Sequence, residues 1–255
     1  MLVIAIIAIV LYAFSGIVWL RAWPLKTQAL LSGCAAITLH ALLTISHSYG
    51  AGSINFSFVS VSNIISVCIT LISLGISLYL PIHKLVAPLF LLAAINIVMS
   101  LFGGGSTITP LSPSIATHVL PSIIAYSLFS LASALACILC LQHSALKQHK
   151  LTAIIPDLPP IDIMERMLIS IILIAYILLS ASIISGFITI DDFLGQKLAH
   201  KTVFSILAWC TYSILLYGHF ATGWRGTLAI KWTIGGFVFL MLGFFGTKLV
   251  LEMML

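Results

Sequence analysis

The sequence predicts an all-α integral membrane protein of eight transmembrane helices with both termini on the outer, periplasmic side. Three observations lead there. Charged residues are 7% of the chain and hydrophobic ones 61%, whereas a soluble domain carries about 25% charge. The apolar residues fall into eight runs, and a helix of about 20 residues is enough to cross a bilayer's hydrocarbon core. The basic residues between the runs are also asymmetric. Arg21, Lys26, Lys84, Lys147, Lys150, Arg166, Arg225 and Lys231 fall on one set of alternate loops, against Lys197, Lys201 and Lys248 on the other. The richer set belongs in the cytoplasm.

The first run covers residues 2–20 and ends at Arg21, Trp23 and Lys26. With no basic region before it and no small-residue cleavage site, it is expected to stay as a helix rather than leave as a signal peptide. The second, 28–47, contains His40 and His47 and leads into a short uncharged loop with Gly50 and Gly52. The third, 57–80, stops at Pro81, and the fourth, 85–102, breaks at Gly103–Gly105. A charge-free loop with Pro110 and Pro113 precedes the fifth run, 117–142. The longest polar stretch, His143 to Arg166, holds a turn from Pro156 to Pro160. Runs six to eight cover 167–189, 202–220 and 229–251. Gly235, Gly236, Gly243 and Gly246 in the last run suit close helix approach. No internal repeat is evident, and 1–255 is read as one domain.

Several function classes drop out. The sequence has no HExxH, no Gly-x-Ser-x-Gly and no phosphate loop. All six acidic residues lie in loops or at run ends, which disfavours a pump built on an intramembrane carboxylate. The net charge of +5 sets orientation and gives no reason to invoke nucleic acid; the expected surroundings are membrane lipid. Cys34, Cys68, Cys137, Cys140 and Cys210 sit in apolar runs and read as small buried thiols. Enzymatic activity is not expected.

The histidines carry the remaining information. One run has His200 at its start and His219 near its end, nineteen residues apart. At the helical rise that is roughly 28 Å, close to the hydrocarbon thickness. His47, His118 and His200 then lie near the outer interface and His219 on the cytoplasmic side, while His83, His143 and His149 are expected to meet water. His40 lies deep in an apolar run, where an ionisable group needs a partner or faces the bundle interior. It is either a hydrogen-bonded structural histidine, with Asn63 or Asn96 as partner, or a ligand. His118, Ser122, Ala125, Tyr126 and Phe129 share one helical face, as do Ser205, Trp209, Tyr212, Leu216 and His219. Two aromatic stripes that each include a histidine suggest a pocket for a flat apolar ligand.

Residues 117–133 and the segment from His200-Lys201 through Trp209, Tyr212 and Gly218-His219 to Gly223-Trp224-Arg225-Gly226 resemble the cytochrome c assembly membrane proteins. That superfamily includes the CcsA, CcmC and HemX-like proteins. The eight-run layout and Glu165-Arg166 look most like its YpjD/HemX-like inner-membrane branch.

The resemblance implies haem b as cofactor, a bacterial inner-membrane location and other cytochrome c maturation membrane proteins as partners. It maps an outer axial ligand onto His118 and a cytoplasmic-side ligand onto His219, with Arg225 pairing with a propionate. His40, His47 or His200 would supply the ligand opposite His118, and Trp209 and Tyr126 would line the cofactor site. Haem-handling members carry a tryptophan-rich motif where this chain has Asp191 to Ala199 without tryptophan. The expected role is therefore haem passage, delivery or regulation rather than direct ligation to apocytochrome. The alternatives are a cofactor-free structural or regulatory membrane subunit and a transporter of another small solute.

Overall fold

The computed structural model describes residues 1–21, 25–50, 53–54, 58–79, 82–102, 113–148, 158–189 and 199–253. Eight helices account for most of them: α1 (Leu2–Leu20), α2 (Lys26–Ser48), α3 (Phe58–Ser77), α4 (His83–Phe102), α5 (Pro113–Lys147), α6 (Ile161–Thr189), α7 (Ala199–Thr222) and α8 (Thr227–Met253). All eight are long and apolar enough to cross a membrane. Between α2 and α3 the expected loop holds a minimal antiparallel pair, β1 (Tyr49–Gly50) on β2 (Ser53–Ile54). Trp23, the Gly103–Gly105 break, His149, Lys150, Pro156 and the 191–198 stretch lie outside the described residues.

The helices overrun the apolar runs where polar residues still favour helix. α5 opens on Pro113, whose missing N–H costs nothing in a first turn. It continues past Gln142 and His143 to Lys147. α6 begins at Ile161 instead of 167, and its first turns carry an exposed pair in which Arg166 Nη2 donates to Asp162 Oδ2 at 2.7 Å, one turn apart. At 35 and 29 residues, α5 and α6 exceed the ~20 needed for a span. Their surplus turns carry charged groups at one end.

The chain divides into two compact units, α1–α4 and α5–α8. In the first, α1 and α3 each pack on both α2 and α4. Small residues permit the close approaches: a Cβ on Gly16 of α1 would lie 3.5 Å from the Ala87 carbonyl of α4. The core holds Ala5, Ala8, Tyr12, Ala36, Phe90 and Ile97. The inward face of α3 is polar instead, with Ser60, Asn63, Ser66, Thr70, Ser73 and Ser77 all buried.

In the second unit, α5 and α7 each pack on α6 and α8. Phe129 of α5 stacks on Tyr212 of α7 with ring centroids 4.0 Å apart. A Cβ at Gly236 would lie 2.7 Å from the Tyr212 ring and one at Gly243 3.2 Å from Phe204 Cβ. Those two glycines therefore allow the contact read from the sequence. Gly235 faces open space, and nothing is described of the side-chain surroundings of Gly246.

Candidate functional site

The candidate histidines of the second unit, His118 near the start of α5 and His219 near the end of α7, lie at opposite ends of it. At one, Pro121 in α5 has no N–H to give the Thr117 carbonyl one turn earlier, and Ser185 Oγ of α6 donates to that carbonyl at 3.4 Å. Beside it, His118 Nδ1 lies 2.7 Å from the Ser182 carbonyl. A carbonyl only accepts, so Nδ1 carries the proton and Nε2 carries the ring's lone pair. Ser182 Oγ donates to the His118 carbonyl at 3.2 Å and meets Ser122 Oγ in a short contact. The ring is half-buried.

At the other end, α7 closes at Gly223, whose φ of 72° is the left-handed value that glycine adopts without strain. Its N–H donates to the His219 carbonyl at 3.1 Å, as in an αL cap, and the Trp224 N–H donates to the Gly218 carbonyl at 3.1 Å. The chain then folds over the helix end. A Cβ on Gly218 would lie 2.3 Å from the Trp224 ring, so only glycine admits the indole there. Trp224 also stacks on Trp232, with centroids 5.8 Å apart. The fold-back places the Trp224 carbonyl 2.8 Å from His219 Nδ1. Again the proton is fixed on Nδ1 and the lone pair on Nε2, which has no hydrogen-bond partner among the described residues.

His219, Trp224, Arg225, Gly226, Asp162, Glu165 and Arg166 line a cleft of about 190 Å³, floored by aliphatic residues of α5, α6 and α8. The turn is tied to α6: Gly226, at φ 62°, donates its N–H to Glu165 Oε1 at 3.0 Å. His143 Nε2 lies 3.4 Å from the same oxygen, a polar contact not aligned as a hydrogen bond. The cleft thus brings together an imidazole whose Nδ1 proton is held, an indole, two guanidinium groups and two carboxylates, with Arg166 paired to Asp162 at 2.7 Å.

The remaining predicted residues are placed differently. In the first unit, His40 is 1% exposed. Its Nε2 lies 3.2 Å from Asn63 Oδ1 and its Nδ1 3.3 Å from Tyr12 Oη, so both nitrogens are engaged. Asn63 is the expected partner, whereas Asn96 bonds Ser62. His47 is exposed at the end of α2. His200 is in the first turn of α7, its side chain outside the described residues.

Tyr126 Oη donates to the Leu240 carbonyl at 3.0 Å, and Trp209 Nε1 donates to Ser180 Oγ at 2.8 Å while stacking on Tyr176. Their polar atoms are spent between helices. The structure brings His219 and Arg225 into one cleft, with Trp224, Glu165 and Arg166. Trp224, Asp162, Arg166 and Glu165, with His143 against Glu165, are the additions that the sequence did not assign to a site. The nearness of Glu165 and His143 to Gly226 crosses 61 residues of sequence from Glu165 and has no local signal. Among the described residues no cluster of three or more His, Cys, Asp or Glu forms a metal site, and Cys34, Cys137, Cys140 and Cys210 are exposed free thiols rather than the buried ones expected, since an apolar run also has an outward face.

Residues 22–255 match the family described as Cytochrome C assembly protein. Inner membrane protein YpjD of Escherichia coli K12 is 28% identical over 238 residues, 89% of this chain and 88% of that protein. Protein HemX of Brevibacillus brevis is 28% identical over 182 residues, 69% of this chain and 67% of its own. An uncharacterized 28.8 kDa protein of Azospirillum brasilense is 29% identical over 140 residues, 54% of this chain and 52% of its own. No solved structure matches the chain.

Proposed function

The chain belongs to the cytochrome C assembly protein family and is a multi-pass inner-membrane protein, and from that premise we propose that it handles haem b, taking it at the His219 cleft for passage or delivery. One observation carries the reading: the His219 Nδ1–H is held by the Trp224 carbonyl. Histidines that bind metals characteristically give their second nitrogen to a carbonyl or carboxylate, which fixes the ring and raises its basicity. Haem iron takes imidazole as an axial ligand.

The chain's own groups fit such a cargo. Arg225 is the guanidinium that would meet a carboxylate side group, since Arg166 is held by Asp162 at 2.7 Å and the Trp224 indole is packed against Gly218 and Trp232. His118, held in the same tautomer by the Ser182 carbonyl, is the proposed ligand at the opposite end of the second unit. His40 is the hydrogen-bonded structural histidine of the first; coordination there would require giving up Tyr12 or Asn63. The charge asymmetry of the loops supports a cytoplasmic His219 end and both termini outside. Residues 22–255 of the family match cross both units, which supports treating the chain as one functional domain.

The test is a ferric haem titration of the full-length protein in detergent, followed by visible absorbance. Wild type should bind one haem at a site whose spectrum changes in His219→Ala. Spectra identical in wild type and in every single-histidine variant would reject the assignment and favour a cofactor-free membrane subunit.

A further inference from the structure

Glu165 of α6 meets both α5 and the α7–α8 turn at the cleft. It leaves α6, accepts the Gly226 N–H of the turn at 3.0 Å and lies 3.4 Å from His143 Nε2 of α5. Its side chain is only 18% exposed, so water competes weakly for the bond. The N–H it accepts is at the start of α8, where the helix dipole favours a carboxylate. Two residues earlier in the same turn, the Trp224 carbonyl receives the proton of His219 Nδ1.

Both glycines of the turn have positive φ, and the residues between them are held by contacts on two sides. On one side the attachments are the Gly223 cap, the Trp224 N–H on the Gly218 carbonyl at 3.1 Å and the Trp224 indole over Gly218. On the other is Glu165. We propose that Glu165 is a positioning residue: by anchoring Gly226 it holds the Trp224 carbonyl on His219 and so fixes which ring nitrogen faces the cleft. Its functional meaning rests on His219 being the ligand, but the positioning is measurable without haem.

The conservative variant separates reach from charge. Glu165→Gln keeps the length and an acceptor oxygen, so the Gly226 bond survives. Glu165→Asp keeps the charge but retreats by one methylene, about 1.5 Å, beyond hydrogen-bond range. Glu165→Ala removes both. The experiment is nitrogen-15 NMR of histidine-labelled full-length protein in nanodiscs, with the His219 signals assigned by their loss in His219→Gln.

Wild type and Glu165→Gln should show one His219 tautomer, protonated at Nδ1, and Glu165→Asp and Glu165→Ala a mixture. With haem, Asp and Ala should weaken the His219-dependent binding by roughly tenfold or more, the range for such supporting partners, and Gln by under about threefold. If Glu165→Ala is too unstable to label, Glu165→Asp decides. An unchanged His219 tautomer in Glu165→Asp overturns the proposal, as does an equal loss in Glu165→Gln. A tautomer shift in a protein whose haem binding ignores His219→Gln leaves the positioning intact and removes the haem reading instead.

Discussion

Gly218→Ala puts a single methyl group where the structure has no room. The new Cβ would lie 2.3 Å from Trp224 Cδ2 and 2.4 Å from Cε3, about 1.2 Å short of ordinary carbon–carbon contact. The indole has to move by at least that much. It is attached to the backbone whose carbonyl accepts His219 Nδ1–H at 2.8 Å, and a shift of 1 Å there passes the limit of a useful hydrogen bond. Overpacking of this kind costs about 1–3 kcal/mol, and the lost hydrogen bond about 1 kcal/mol more.

Gly235→Ala is the matched control: nothing lies within 4 Å of its Cβ, and alanine in a helix interior is about 0.5–1 kcal/mol better than glycine. Thermal unfolding in one detergent should therefore move in opposite directions for the two variants, down for 218 and level or up for 235. Haem affinity should fall roughly tenfold or more for Gly218→Ala alone. Equal unfolding midpoints and equal affinities for the two variants would refute the fold-back of Trp224 as the device that orients His219.

Asn63→Leu strips the His40 Nε2 of its partner inside a dry bundle and should cost about 1–3 kcal/mol; detergent unfolding checks it, and the haem spectrum should stay as in wild type. Ser182→Ala removes the hydroxyl contacts to Ser122 and His118 but keeps the carbonyl that fixes His118. A loss of about 1 kcal/mol in stability is expected, with the His118 tautomer retained by NMR. Tyr126→Phe deletes the bond to the Leu240 carbonyl and should destabilise by about 1 kcal/mol without altering haem affinity, since that hydroxyl joins α5 to α8 and faces no ligand. For orientation, reporter fusions after Lys147 should be active only as cytoplasmic reporters, and fusions after Leu255 only as periplasmic ones.

Much of this architecture was readable in the sequence because lipid imposes a simple rule. A spanning segment must satisfy its backbone internally, so length and apolarity alone locate eight helices. Helix ends were less legible. α5 and α6 run on through Lys147 and from Ile161 because polar residues are as helical as apolar ones once outside the hydrocarbon. Hydropathy therefore reports the bilayer boundary and not the helix boundary.

The site divides along the same line. His118, His219 and Arg225 announce themselves as polar residues at segment ends. What distinguishes His219 from His40, however, is which atom faces each ring nitrogen, and that depends on tertiary contacts. Gly218 reads as one more small residue until Trp224 is seen lying on it. Glu165 reads as a loop-end acid, and His143 as a water-facing histidine, until the α7–α8 turn is brought to them. The Tyr126 and Trp209 stripes show the converse: helical spacing identified an inward face, but the hydroxyl and indole N–H are used to bind one helix to another.

Low-temperature electron paramagnetic resonance of the ferric haem-loaded protein tests the central claim most directly. Nitrogen ligation by His219 predicts a signal in wild type that changes spin state or anisotropy in His219→Ala and recovers when imidazole is added to the variant. A signal that is the same with and without the His219 side chain would contradict the assignment of this cleft.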